Sequence, residues 1–346
     1  MQSVPLEDVV ALVEGALGVR VSNGYLRGWR LPPDDVAFHD PMLVWMASLP
    51  AGVRLRFCTD SRAVRLRCEH VVVDRAETPD TPAARYDLVV DNQVVATQAV
   101  TGVQVDVAFD GLPGDDRAAE VWLPQGVGVR IRAVEIDDGA RLAPASDPRP
   151  RWVTYGSSIT HCLGAPGPTD TWPARATRGL GWHLTCLGYS GMCHLDPLVA
   201  RTMAALPADR FTLKLGINVH NMASLRRRTF APLVHGFLAT LRDSHPTTPI
   251  TVISPIISPS REDDASTAIL LGESEVIATG DLTLEHMRSI LRAVVELRQE
   301  RGDAALDYLD GRELLGDADV DCLPDGLHPD DEGNRRIAER FVRHFA

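Results

Sequence analysis

Ser158 stands in a stretch whose composition suits a nucleophile. Residues 152–160 form a short apolar, β-branched run that stops at Gly156 and is followed by Ser157 and Ser158. Such a run predicts a strand, and in open α/β sheets ligands bind at the carboxyl ends of the strands. A serine hydroxyl is weakly nucleophilic at neutral pH, so it needs a base and a group that orients the base.

Asp325 and His328 are the candidates for these two roles. They are three residues apart in the segment Asp-Gly-Leu-His-Pro, so a turn can place both side chains on one side. The carboxylate would fix the imidazole tautomer, while the other ring nitrogen takes the proton of Ser158. Taken alone, the pair is equally typical of a surface turn.

Acyl transfer also requires hydrogen-bond donors for an oxyanion, and two further predicted strand ends offer them. Besides the Ser158 N–H, the backbone N–H of Gly191 and the side-chain amide of Asn218 are candidates. Singly, Gly191 is also explained as a turn residue and Asn218 as a helix cap. Four such segments in order, each at a predicted strand end, favour a catalytic site.

The elements that must position these residues alternate from residue 149 onward. Apolar runs predict strands at 152–155, 182–187, 211–215, 250–253 and 307–309. Helical patterns lie between them, the clearest at 283–300, and a last helix follows Gly333. This alternation predicts an α/β fold with a parallel sheet and helices on both faces. The stretch from Arg261 to Gly280 is predicted to be irregular, either a lid or a surface loop.

Residues 1–148 predict an all-β domain behind a short leading helix at 3–17. Alternating or β-branched runs are separated by turn residues, and these runs are 53–57, 64–73, 86–100, 103–109 and 120–136. Short strands at this spacing predict a β-sandwich. The proline-rich run 143–150 indicates a linker. We therefore predict a sandwich domain at 1–148 and a catalytic domain at 149–346.

With these segments in place, residues 150–346 resemble the SGNH (GDSL) hydrolase family. The block Gly-Asp-Ser-Ile/Leu is similar to Gly-Ser-Ser-Ile at 156–159, which makes Ser158 the nucleophile. Gly191 corresponds to the glycine of the second block, and Gly-Ile-Asn-Val at 216–219 resembles Gly-x-Asn-Asp. The block Asp-x-x-His-Pro matches 325–329. The resemblance implies a three-layer α/β/α domain, here preceded by a jelly-roll-like sandwich, with Ser158, Gly191 and Asn218 in the oxyanion hole.

Two positions depart from the family pattern. Ser157 and Val219 stand where the blocks have aspartates, so local hydrogen bonding must differ and the site has two fewer negative charges. Ser157 and Ser190 are alternative nucleophiles. Ser157 is out of the family's register, and Ser190 lacks the second glycine spacing of a Gly-x-Ser-x-Gly elbow.

The amino-acid composition limits the classes of partner that we expect for this protein. The net charge of −12 argues against nucleic acid, and no stretch is long and apolar enough to span a bilayer. Without a secretion signal or a zinc-like spacing of cysteine and histidine, we expect a cytoplasmic protein with reduced cysteines, no metal and no bound cofactor. Lys214 is the only lysine, which we attribute to a GC-rich genome. Oligomeric state is not predicted.

The predicted function is acyl transfer through acyl-Ser158. The two-domain order resembles an actinobacterial group that includes a salicylyl-transferring enzyme of a tetracycline pathway. This favours an acyltransferase with a small-molecule acyl donor, such as acyl-CoA or a carrier-protein thioester, and a hydroxyl acceptor on a natural product. The alternatives are an esterase of small or carbohydrate esters and a non-catalytic carbohydrate-binding protein.

Overall fold

The structure is a computed structural model that describes residues 1–71, 83–115, 117–271 and 274–346. The chain forms two compact units. The first comprises Met1–Arg149 and Leu163–Ala174, and the second comprises Pro150–Cys162 and Arg175–Ala346. The linear boundary between residues 148 and 149 stays a prediction, to which the structure adds that the segment Leu163–Ala174 packs with the first unit.

Two antiparallel sheets form most of the first unit. Its strands are β1 (Gln2–Val4), β2 (Val13–Glu14), β3 (Gly18–Ser22), β4 (Tyr25–Trp29), β5 (Arg54–Thr59), β6 (Ala63–Val71), β7 (Ala84–Val90), β8 (Gln93–Val100), β9 (Gln104–Asp110), β10 (Ala118–Trp122), β11 (Gly128–Ile136) and β12 (Leu142–Pro144), with helices α1 (Leu6–Val9) and α2 (Pro41–Ala47).

The two sheets share one hydrophobic core. One has the order β3-β4-β11-β6-β9 with β1 on β11, and the other has the order β12-β5-β10-β7-β8 with β2 on β5. Along β6 the residues Val64, Leu66 and Cys68 are buried while Arg65 and Arg67 are exposed. This alternation turns one face of the strand toward the core, which is the arrangement of a β-sandwich.

The second unit is built on a parallel sheet of five strands, whose order from one edge to the other is β14 (His183–Gly188), β13 (Arg151–Gly156), β15 (Arg210–Lys214), β16 (Ile250–Ile253) and β19 (Leu306–Leu309). The strands and helices from residue 150 onward are β13 (Arg151–Gly156), α3 (Ser158–His161), α4 (Trp172–Leu180), β14 (His183–Gly188), α5 (Pro197–Ala204), β15 (Arg210–Lys214), α6 (Ile217–Met222), α7 (Arg227–Ser244), β16 (Ile250–Ile253), β17 (Ser266–Leu271), β18 (Ser274–Thr279), α8 (Leu284–Glu300), β19 (Leu306–Leu309), α9 (Gly311–Leu314) and α10 (Asp331–Phe345).

Helices cover both faces of this sheet. On β13, Trp152 packs against Phe341 of α10 with ring centroids 5.0 Å apart, and Tyr155 stacks on Phe237 of α7 at 5.2 Å. Because side chains an odd number of residues apart on a strand point to opposite faces, α7 and α10 lie on opposite sides of the sheet. The predicted fold class, an α/β/α domain after a β-sandwich, is confirmed.

Three local predictions differ from the structure. The helix expected at 3–17 is limited to Leu6–Val9 and a 3-10 turn at Val10–Leu12, because the strands β1 and β2 occupy the residues on either side. The hairpin β3–β4 was not predicted, although Asn23 and Gly24 form the Asn-Gly turn that signals one. The stretch expected to be irregular before Gly280 contains the antiparallel pair β17–β18.

Among the described residues, no helix is both long enough and apolar enough to cross a bilayer. Part of the strand predicted at 64–73 falls at residues 72 and 73, outside the described residues.

Candidate active site

Ser158 lies beyond the carboxyl end of β13, where it is the first residue of α3. The Ser157 hydroxyl is buried and accepts a hydrogen bond from the Ile159 N–H at 3.3 Å, so it caps this helix. The Ser157 hydroxyl is therefore already engaged in capping the helix, whereas Ser158 is only partly buried.

Ser158, His328 and Asp325 form one hydrogen-bonded chain. Ser158 Oγ lies 2.8 Å from His328 Nε2, and His328 Nδ1 lies 2.6 Å from Asp325 Oδ2. Since a carboxylate can only accept, Nδ1 carries the proton and Nε2 of the neutral ring accepts from the serine hydroxyl. The structure thus brings the three candidate residues together in the direction that proton transfer from serine requires.

Asp325 is fixed by its own loop. Its Oδ1 accepts the backbone N–H groups of Leu327 at 2.9 Å and His328 at 2.6 Å. Burial raises the pKa of the Asp325 carboxyl, but these hydrogen bonds and the one from the His328 ring outweigh it and lower the pKa to about 2. The carboxylate is therefore charged at neutral pH. The side chains of Asp325 and His328 are 54% and 46% exposed, so the base is open to solvent.

Ser258 anchors the loop that carries the base. It is buried after β16, and its Oγ donates to the Gly326 carbonyl oxygen at 2.7 Å. Arg261 in turn donates to Ser258 Oγ at 3.1 Å. The turn between Asp325 and His328 is therefore held from the carboxyl end of a neighbouring strand.

Asn334 connects the loop 325–330, which carries His328, with the segment 158–162, which begins with Ser158. This buried residue of α10 donates from Nδ2 to the carbonyl oxygens of Pro329 at 3.2 Å and Asp330 at 2.9 Å. Its Oδ1 accepts a hydrogen bond from the thiol of Cys162, the residue that follows α3, at 3.2 Å. One side chain thus ties the segment after His328 to the segment after Ser158.

Gly191 lies in the loop 189–193, which is tied at both ends. The Tyr189 N–H donates to the Gly156 carbonyl at 2.9 Å, and the Cys193 N–H donates to Asn218 Oδ1 at 3.0 Å. Among the described residues, nothing lies within 4 Å of where a Cβ on Gly191 would be, so the space beside it is open. The loop that contains Gly191 is therefore hydrogen-bonded both to the end of the strand that precedes Ser158 and to Asn218.

Asn218 is the second residue of α6, after the carboxyl end of β15. Gly216 makes the turn into this helix with φ of 116°, a backbone region that favours glycine. The N-cap of α6 is Gly216, so Asn218 is not the helix cap. Because Oδ1 accepts from Cys193, the two N–H groups on Nδ2 point the other way and can donate to an oxyanion.

Ser258 and Asn334 are site residues that no sequence pattern predicts. Ser258 is 68 residues from Gly326, and Asn334 is 172 residues from Cys162. Contacts between segments so far apart produce no local pattern of residue types. The roles of the candidate site residues remain proposals that this geometry supports.

A separate cavity of about 530 Å³ lies in the first unit. It is lined by His70 and by residues 83–85, 100–103, 124–127 and 163–166. The His70 ring is hydrogen-bonded to Tyr86 Oη at 2.9 Å and to the Gly102 carbonyl at 3.0 Å, and burial lowers its pKa. A cavity of this size is large enough for a small organic molecule.

Comparison with known proteins gives matches for both parts of the chain. Residues 150–346 match the model of the GDSL-like lipase/acylhydrolase family, and residues 12–129 match the model of the SsfX3 N-terminal domain. A comparison with curated proteins gave no match.

Solved structures resemble the whole chain. The salicylyl-acyltransferase SsfX3 from a tetracycline biosynthetic pathway is 30% identical, with a TM-score of 0.84 over 96% of this chain and 93% of that chain. A GDSL-like lipase from Bacteroides ovatus ATCC 8483 is 22% identical, with a TM-score of 0.75 over 99% and 96%. A family two carbohydrate esterase from Clostridium thermocellum is 15% identical, with a TM-score of 0.59 over 85% and 90%. The last two show the fold alone.

The parallel sheet and the serine at its carboxyl edge define a hydrolase-type α/β/α domain. The chain belongs to the GDSL-like lipase/acylhydrolase family, whose model covers more than half of it. It is an enzyme that transfers or hydrolyses acyl groups. The predicted family is confirmed.

Proposed function

We propose that the protein is an acyltransferase that moves an acyl group from a thioester or ester to a hydroxyl of a small natural product. The observation that carries the proposal is the chain from Ser158 Oγ through His328 to Asp325, with distances of 2.8 Å and 2.6 Å. This is the arrangement that activates a serine for attack on a carbonyl carbon.

The first half-reaction forms the acyl-enzyme. Ser158 Oγ attacks the carbonyl carbon of the donor while its proton passes to His328 Nε2. The carbonyl oxygen becomes an oxyanion that accepts hydrogen bonds from the Ser158 and Gly191 backbone N–H groups and from Asn218 Nδ2. The tetrahedral intermediate then expels the thiolate or alkoxide, which takes the proton from His328.

The second half-reaction discharges the acyl group. The acceptor hydroxyl gives its proton to His328 Nε2 and its oxygen attacks the acyl carbon, after which Ser158 leaves and is reprotonated. Asp325 stabilises the imidazolium in both halves. These steps require no metal and no resident cofactor, and we propose that the protein holds neither.

Substrate class is supported by the likeness to a salicylyl-acyltransferase over 96% of this chain. We propose a donor of the acyl-CoA or carrier-protein thioester type and a hydroxylated small molecule as acceptor, in antibiotic biosynthesis. The net charge of −12 supports a small-molecule partner over nucleic acid.

Hydrolysis is the second candidate function, because the catalytic groups would be the same with water as the acceptor. The observation that favours it is the openness of the base, since His328 is 46% exposed. Exclusion of water normally protects a transferable acyl group.

The test is a measurement of partitioning. The enzyme is given the N-acetylcysteamine thioester of benzoic acid with and without a panel of phenols and alcohols, and the free acid and the new esters are quantified. A transferase forms one ester in preference to the acid, and that acceptor raises the rate of thioester consumption. Free acid formed at the same rate with every acceptor would make the protein an esterase. Ser158→Ala corrects for uncatalysed transfer.

A further inference from the structure

Lys214 is the only lysine of the chain, and its side chain lies inside the second unit. It is 2% exposed, and within the part of the chain that the structure describes its Nζ has no hydrogen-bond partner. Burial of an unpaired ammonium is costly, and a methionine of similar length would fill the space without that cost. Buried titratable groups of this kind concentrate at functional sites.

Lys214 lies next to the segment 156–158, which leads to the nucleophile Ser158. Lys214 is the last residue of β15 and pairs with Gly156 of β13, two residues before Ser158. A Cβ on Gly156 would lie 3.4 Å from Lys214 Cβ and would overlap Thr160 Oγ1 of α3. The lysine stem therefore starts on the face of the sheet that α3 covers.

Three groups act electrostatically on the Lys214 amine, and none of them is a carboxylate that could neutralise its charge. These groups are the thiols of Cys193 and Cys162 and the guanidinium of Arg288. Burial raises the pKa of the Cys193 thiol to about 12, so the thiol is neutral at pH 7. Arg288 donates to Glu262 at 2.9 Å, an ion pair of its own. Burial lowers the pKa of Lys214 to about 8, so most of the amine is still protonated at pH 7.

We propose that the buried ammonium group of Lys214 stabilises, through space, the oxyanion that forms at Ser158. The inference rests on the proposed function, since it requires that oxyanion. Lys214 is the last residue of β15, four residues before Asn218. The Cys193 thiol acts on the Lys214 amine and the Cys193 N–H donates to Asn218 Oδ1, so the buried amine lies close to elements that carry the donors. Across several ångströms of protein interior, a charge–charge interaction changes an equilibrium by about tenfold. Lys214 contacts no reacting atom in this account.

The lone lysine allows a direct test, because one labelled residue gives one signal. Protein is prepared with lysine carrying ¹³C at Cε, and the pH titration of that signal is followed by NMR with and without phenylboronic acid. A boronate on Ser158 carries the negative charge of a tetrahedral intermediate. Since coupling is reciprocal, an anion that Lys214 stabilises must raise the lysine pKa, by about one unit for a tenfold effect.

The outcomes separate the two proposals. Protection of Ser158 from a fluorophosphonate probe shows whether the boronate adduct forms. An adduct with a raised lysine pKa supports the inference, and an adduct with an unchanged lysine pKa overturns it while leaving the nucleophile in place. If the fluorophosphonate probe fails to label Ser158 in the absence of the boronate, the proposed nucleophile is wrong and the inference fails with it. Ser158→Ala is the control, in which the boronate should leave the lysine signal unchanged.

Kinetics give an independent check. In the wild type, kcat should fall about tenfold as pH rises through about 8, because the ammonium loses its proton. Lys214→Met should have the lower kcat at pH 7, with KM little changed and without this alkaline decrease. Thr212→Val is the matched control, a buried polar residue two positions earlier on β15, and it should keep the alkaline decrease. A wild-type kcat that is flat from pH 7 to 9.5 would overturn the proposal.

Discussion

The two oxygens of the Asp325 carboxylate do different work. Oδ1 holds the turn by accepting two backbone N–H groups, and Oδ2 accepts the ring proton of His328. The ring can therefore donate only from Nδ1, which leaves Nε2 as the acceptor that faces Ser158. At the scale of single residues, activity should depend on the tautomer more than on the charge of Asp325.

Asp325→Asn tests this dependence. The asparagine oxygen can still accept the two backbone N–H groups, but its NH₂ would face His328 Nδ1 and favour the wrong tautomer. We expect kcat at pH 7.5 to fall by roughly 10²- to 10⁴-fold. Asp330→Asn, which keeps the cap of α10, should retain full activity. An Asp325→Asn rate within twofold of the wild type would show that Asp325 is not the orienting group.

Asn218 is tested by a pair of substitutions. Asn218→Asp preserves the acceptor for the Cys193 N–H but replaces the two amide donors with an anionic oxygen. Asn218→Ala should lower kcat by about 10²- to 10³-fold, and Asn218→Asp at least as much, because it also repels the oxyanion. Steady-state kcat and KM give the comparison. Retained activity in Asn218→Asp would exclude the amide as a donor.

At the scale of elements, α10 helps to position the loop that carries His328 and also covers one face of the parallel sheet. Asn334→Leu should remove the contacts to Pro329, Asp330 and Cys162 and leave buried polar groups unpaired, which costs about 1–3 kcal/mol of stability. We expect a lower Tm together with a lower kcat, because the loop of His328 is released. Ile337→Val, a buried apolar change on the same helix, should lower Tm and leave kcat unchanged. An unchanged kcat in Asn334→Leu would assign Asn334 to stability alone.

The elements that carry chemistry were predictable because parallel strands bring their carboxyl ends to one edge. A shared site could be predicted without knowledge of how the helices pack, because Ser158, Gly191 and Asn218 each follow a predicted parallel strand. Ser258 and Asn334 were not predictable, since they act across long sequence separations. Lys214 was attributed to genome composition, because one lysine in a sequence shows neither its burial nor its neighbours. The β17–β18 pair was missed although apolar runs at 268–271 and 276–278 lie on either side of Gly272 in the sequence.

At the scale of the whole molecule, Lys214 should reduce stability. Its pKa is lowered from 10.5 to about 8 by burial, so between these pH values the unfolded chain binds more protons than the folded one. The wild type should therefore gain stability as pH rises from 8 toward 10.5, and the cost of the buried ammonium is fully present below pH 8. Lys214→Met should raise the free energy of unfolding at pH 7 by about 3 kcal/mol. Urea unfolding at pH 7 and pH 10 measures this, and a variant that is less stable at both values would contradict it.

In the proposed reaction Ser158 carries the acyl group, and trapping the acyl-enzyme tests this directly. The wild type is mixed with the benzoyl thioester, quenched with acid within the first turnover, and measured by intact mass and peptide mapping. We predict a mass increase of one benzoyl group on the peptide that contains Ser158, absent in Ser158→Ala and present in Ser157→Ala. Turnover without any acylated protein, or acylation that persists in Ser158→Ala, would contradict the account.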